Sequence, residues 1–143
     1  MKPPKQILKV DVVGTPKPQG SKNGYVRGGR VVLVEASKGL KDWRSVVTAA
    51  VTIVGQAENW KRIDKDTPAH LTIRFIFTKP KSAKRPAHTT KPDLSKLIRA
   101  VEDAITDTHI IWADDSQVVS VFAVKEYGPV AKASIEIAEI NND

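Results

Sequence analysis

The chain contains no cysteine. That removes disulfides, thiolate nucleophiles and cysteine-based zinc centres, and it suits a reducing compartment. His70, His88 and His109 are scattered, and three such histidines make no zinc site by themselves. No apolar run approaches the ~20 residues that cross a bilayer, and the opening "MKPPKQILKV" lacks the apolar core of a signal peptide. A cytoplasmic protein with no membrane attachment is expected. No Gly-rich phosphate loop occurs either, which weighs against a metal-dependent phosphatase for small nucleotides. Aromatic residues are sparse at 6%, yet 41% hydrophobic and 27% charged residues describe a globular chain. At 143 residues it suits one domain that buries its core without staples.

What the chain has in excess is positive charge, +7 formally with a pI near 9.7. Each phosphate that a Lys or Arg neutralises releases counterions, so the first partner this implies is nucleic acid, with an anionic membrane a distant second. The cations gather in two segments. "TPKPQGSKNGYVRGGRVVLVE" has no acid before Glu35 and carries Lys17, Lys22, Arg27 and Arg30. There Gln19, Ser21 and Lys22 beside Gly20 suit phosphate contact, although a simple glycine turn fits the same residues. "KPKSAKRPAHTTKP" carries Lys79, Lys81, Lys84, Arg85 and Lys91 with three prolines and no acid, and reads as a flexible basic loop at about 79–91. Within it His88 could touch phosphate, while a solvated loop histidine is the commoner case.

The patterning gives a strand at "ILKVDVV", a hairpin turning at Gly28-Gly29, and a helix from Ser37 to Gly55 with Leu40, Trp43, Val46, Val47, Ala50, Val51 and Val54 recurring at helical spacing. A strand at "HLTIRFIFTK" follows with Leu71, Ile73, Phe75 and Phe77 on one face. After a second helix, "QVVSVFAVKEY" and "KASIEIAEI" read as two strands joined in a hairpin at Gly128-Pro129. The fold class is α/β or α+β, one domain with a mixed sheet against two main helices. Trp43 and Trp60 read as core or dimer interface, and Trp112 as packing beneath an acidic loop in preference to stacking on an unpaired base.

Six of the sixteen acids (Asp93, Glu102, Asp103, Asp107, Asp114, Asp115) fall in the one stretch "KPDLSKLIRAVEDAITDTHIIWADDSQVV". A helix running from about Asp93 to Thr106 would bury Leu97, Ile98, Ala100, Val101, Ala104 and Ile105 and turn Ser95, Lys96, Arg99, Glu102 and Asp103 outward. A solvated face with Asp93 as cap and Arg99 paired to its neighbours explains the helix alone. Asp114 and Asp115 also suit a plain turn. Taken together, carboxylates set in a basic chain suggest a hard-cation site, because Mg²⁺ takes oxygen ligands and commonly shares its shell with substrate phosphates. Surrounding cations would hold a nucleic acid backbone against it.

"KPDLSKLIRAVEDAIT" followed by "IWADDSQVV" resembles the RusA family of Holliday junction resolvases, small homodimeric endonucleases of bacteria and phages, and "GTPKPQGSKNGYVRGGRVVLVEASKGLKDWR" is similar to that family's N-terminal region. The resemblance spans most of the chain. It implies Mg²⁺-dependent cleavage of four-way DNA junctions by a symmetric homodimer, with Mn²⁺ able to substitute. It also implies metal-binding acids at Asp93 and at the pair Asp114 and Asp115, with Asp115 the stronger ligand, and a catalytic basic residue at Arg99. The sequence departs at Ser95, where the family commonly has a second acid. Glu102, two turns further along nearly the same stripe, could replace it as a ligand. Lys17, Gln19, Lys22, Arg27, Arg30, Lys79, Lys81, Lys84, Arg85, Lys91 and Lys96 are the expected DNA contacts. The competing reading is a noncatalytic DNA- or RNA-binding module whose acids only balance local charge.

Overall fold

The structure is a computed structural model that describes residues 2–19, 22–27, 30–35 and 39–143, with backbone alone at 22–27, 30–35, 40 and 41. Strand β1 (Gln6–Val13) is followed by β2 (Lys22–Arg27) and β3 (Arg30–Glu35), then α1 (Leu40–Ala57), β4 (Ala69–Phe77) and α2 (Leu94–Thr106). A short 3-10 turn (Asp115–Gln117) leads into β5 (Val118–Tyr127), and β6 (Lys132–Glu139) ends the fold. β2 and β3 form a separate antiparallel ribbon with Arg27 opposite Arg30. The Gly28-Gly29 turn and the side chains of Lys22, Arg27 and Arg30 lie outside the described residues.

Strands β1, β6, β4 and β5 make one mixed sheet in that order. Alternation dictates its core face: Leu8, Val10 and Val12 on β1, Leu71, Ile73 and Phe75 on β4, and Ala133, Ile135 and Ile137 on β6 are all buried. Trp43, Val47 and Val51 of α1 and Leu97, Ala100, Val101, Ala104 and Ile105 of α2 join the same core. The expected faces are found in the main, with Ala50, Val54 and Ile98 partly buried, whereas Val46 is 48% exposed and the Ser37 start and the Leu40 side chain lie outside the described residues; the fold is a single α+β unit. Truncating a residue such as Phe75 would cost about 3–5 kcal/mol in lost transfer energy and cavity.

One topological expectation fails. β5 and β6 are not hairpin partners, because β4 lies between them, parallel to β5 and antiparallel to β6. The connection instead crosses the end of β4, where Gly128 N–H donates to the Phe77 carbonyl at 2.9 Å. A Cβ at residue 128 would sit 2.5 Å from Ile76 Cγ2, so the crossing needs glycine. β4 gains two partners by this insertion, β5 and β6, where a hairpin of β6 with β5 would leave β4 exposed at an edge.

Candidate nucleic-acid cleavage site

Asp93 is the N-cap of α2, as its position after Pro92 suggests, but its side chain makes no capping hydrogen bond. Its carboxylate is exposed and, among the described residues, meets only the Lys96 ammonium at 3.9 Å. The cap reading thus accounts for the backbone of Asp93 and leaves its charge uncommitted.

Along the same helix Ser95, Lys96 and Arg99 are exposed, whereas Glu102 and Asp103 are half-buried. Burial is the first cause that raises the Glu102 carboxyl above its ordinary pKa, followed by the charges of Asp115 and Asp103, with Arg99 opposing. Asp103 is raised likewise by burial, helped by Asp115 and Asp107 and opposed by Arg44 and Arg99. The structure therefore brings Glu102, Asp103 and Asp115 into one electrostatic neighbourhood beside Arg99. Asp93 stands apart from them: nine residues at ~1.5 Å each put it about 13 Å along the helix axis from Glu102. The acids form a strip with Arg99 between its ends.

Asp114 has a different occupation. It caps the 3-10 turn, its Oδ2 accepting the Ser116 N–H at 3.1 Å, and hydrogen bonding from the Ser116 hydroxyl first and its backbone N–H second holds its pKa below the ordinary value. Asp115 is the half-buried neighbour whose charge is felt on α2. What sets the turn is Gln117, buried at 7% exposure. Its Oε1 accepts the N–H groups of Ala113 and Asp114 at 2.7 and 3.0 Å, and its Nε2 donates to the carbonyls of Asp64 and Thr67 at 2.7 and 3.0 Å. The sequence motif contains Gln117 without assigning it a role, although Asp114 and Gln117 have the spacing of a capping box. Trp112 is buried below the turn and donates from Nε1 to Thr106 Oγ1 at 2.8 Å, which settles its role as packing.

A second positioning residue was also missed. Lys125 on β5 donates from Nζ to the carbonyls of Thr90 and Pro92 at 2.6 and 2.9 Å, tying down the chain just before Asp93. The N-terminal loop docks nearby, with Gln19 N–H on the Lys96 carbonyl at 2.9 Å and Lys17 half-buried. Lys79, Lys81, Lys84, Arg85, Lys91 and Lys96 are all exposed on this side of the sequence, Arg85 bonding Thr89 Oγ1 at 3.0 Å. His88 is not the solvated loop residue expected. It is buried between Phe77 and Tyr127, because a ring on a proline-rich loop gains more by packing than by hydration.

The donor set suits a hard divalent cation. Every candidate is a carboxylate, Asp93 is uncommitted, and the negative charge collected at Glu102 is only partly offset by Arg99. Among the described residues no three acids or histidines stand close enough to hold an ion by themselves. Mg²⁺ is commonly bound through one or two carboxylates, with waters and substrate phosphates completing its shell.

Residues 11–138 match the family described as Endodeoxyribonuclease RusA. The chain is also 29% identical over 140 residues to a Bacillus subtilis (strain 168) protein described as Uncharacterized protein YqaN, covering 94% of this chain and 97% of that one.

Proposed function

This chain belongs to the RusA family of endodeoxyribonucleases, and we propose that it cuts branched DNA, four-way junctions above all, in a Mg²⁺-dependent reaction. The observation that carries this reading is Glu102, a carboxylate drawn half out of water beside two further acids and one turn from Arg99. Such an arrangement costs stability in the empty protein and is relieved by a cation. Asp115 and Glu102 would hold Mg²⁺, directly or through waters, with Asp114 shaping the turn that presents Asp115, and Asp93 at the far end of the strip would act through the waters and phosphates that complete the shell. Bound there, the ion would supply Lewis-acid polarisation of the scissile phosphate and a water acidic enough to attack it. Arg99 faces the charge that builds on the phosphate oxygens as the bond breaks. The exposed lysines and Arg85 hold the flanking backbone and offset the repulsion between the acids and DNA.

Two copies would give two symmetric cuts. β5 supports such a pairing: it is an edge strand of the sheet, and Val119 and Phe122 on it are 64% and 60% exposed. A noncatalytic binding module remains the second reading, favoured by the spread of the acids along α2. Incubating the protein with a synthetic four-way junction and a linear duplex, with Mg²⁺ or with chelator, decides between them. Cleavage of the junction by wild type but not by Asp93→Asn is the expected result. Equal cutting of both DNAs, or cutting that survives chelation, would overturn the proposal.

A further inference from the structure

The loop at residues 15–18 and the arm at residues 78–92 face each other across a groove of about 470 Å³, with Lys17, Thr78, Pro80, His88, Lys91 and Tyr127 in its lining. That volume lies within the range of about 300–1,000 Å³ typical of sites for one small ligand. Part of the lining is a ladder of rings. His88 meets Phe77 edge-on, with centroids 4.7 Å apart at 68°, and stacks on Tyr127 at 4.9 Å and 19°. It is 9% exposed, and among the described residues its Nδ1 has no hydrogen-bond partner. Burial, then the Lys125 ammonium, hold the imidazole below its ordinary pKa, against the pull of the backbone carbonyls of His88 and Thr90. The ladder is therefore uncharged at neutral pH.

Buried side-chain nitrogens are ordinarily bonded, so a purely structural histidine here would be expected to use Nδ1. The surroundings indicate what the groove suits. Pro16, Pro18, Pro80 and Pro92 make apolar walls that favour a flat ring. Lys17 and Lys91 in the same lining favour attached phosphate. The groove also reaches Pro92, the residue before the Asp93 cap of α2.

We propose that this groove takes one unstacked nucleobase of the DNA strand being cut, seated against the Phe77–His88–Tyr127 ladder and the proline walls, with its flanking phosphates on Lys17 and Lys91. The proposal deepens the endonuclease reading and rests on it. A base inside a regular duplex is paired and stacked and pays several kcal/mol to leave, whereas a base at a branch pays less. The groove would thus favour branched over linear DNA without reading sequence.

The test is equilibrium binding without metal, by fluorescence anisotropy, to four-way junctions carrying one abasic site at successive positions across the branch. Removing the base that enters the groove should weaken wild-type binding about tenfold at one position per cut strand, the scale of base stacking on aromatic side chains, and leave other positions nearly level. His88→Ala should bind more weakly and lose that positional response. Thr78→Trp, which fills the groove from an exposed position and opens no core cavity, should do the same if His88→Ala fails to fold. A level wild-type profile, or an undiminished response in Thr78→Trp, would overturn the groove. Mg²⁺-dependent cleavage of the unmodified junction is scored separately. Cleavage with a level abasic profile rejects the groove and leaves the nuclease, while a single responsive position without cleavage supports the groove and rejects the nuclease.

Discussion

Glu102→Gln should make the metal-free protein more stable and the enzyme nearly inactive. A like-charge pair on a helix costs about 0.2–0.5 kcal/mol, and Glu102 is repelled by both Asp115 and Asp103. Arg99 returns part of that. The net gain on neutralising Glu102, discounted for its partial exposure, is roughly 0.5 kcal/mol. At ~2.1 cal/mol/K per residue the unfolding entropy of the chain is about 300 cal/mol/K, so Tm should rise by about 1–2 °C. The pH dependence has a definite sign. A carboxyl whose pKa is raised on folding contributes stability that is complete below the ordinary carboxylate value, 4.5, and is lost as pH climbs through the raised value. Wild type should therefore gain stability on acidification from neutral pH relative to Glu102→Gln. Junction cleavage should fall roughly 100-fold or more, equivalent to about 2.7 kcal/mol of transition-state stabilisation. Calorimetry across pH without metal, paired with single-turnover cleavage, measures both. A variant that melts lower and cuts normally would refute the reasoning and make Glu102 an ordinary structural carboxylate.

If Glu102 replaces an acid that Ser95 does not supply, Ser95→Asp should restore part of the activity lost in Glu102→Gln; no restoration in a folded double variant counts against that exchange. Asp93→Asn and Asp115→Asn should each abolish cleavage while junction binding holds or tightens, as a gel-shift titration in chelator would show, and retained cutting in both would remove the acids from the mechanism. Arg99→Ala should lower kcat far more than affinity, since its charge acts on the transition state; equal losses would make it a simple phosphate contact. Gln117→Leu leaves the N–H groups of Ala113 and Asp114 and the Thr67 carbonyl without this partner, the Asp64 carbonyl keeping the Thr67 N–H, which should cost about 3 kcal/mol and lower Tm by roughly 10 °C. Urea denaturation would detect a smaller effect if solvent takes over those groups.

Periodicity revealed the faces of α2 because burial follows the helical repeat directly: Leu97, Ala100, Val101, Ala104 and Ile105 are inside, and Arg99 is out. The order of the strands was less accessible. A four-residue link at Gly128–Ala131 reads as a hairpin locally, and only the demand of β4 for a second neighbour overrules it. Besides their burial, Glu102 and Asp103 feel the charge of Asp115 on the turn, and Asp103 that of Arg44 on α1, neither of which lies close to them in sequence. His88 was hidden by its polar company, since its ring partners Phe77 and Tyr127 lie eleven and thirty-nine residues away. Gln117 had a recognisable spacing, overshadowed by the two acids before it.

β5 carries Gln117 just ahead of its first residue and Lys125 near its last, and these two side chains clamp the acidic turn and the approach to Asp93. The alignment of the two ends of the acidic strip is thus referred to one strand, and the arm from Thr78 to Ala87 plays little part in it. Closing a longer flexible loop costs only about 0.6 kcal/mol per doubling. This makes the arm an exchangeable module: on the proposed function, segments of other length or charge spliced between Phe77 and His88 would retune which DNA is held while the acidic strip stays in place.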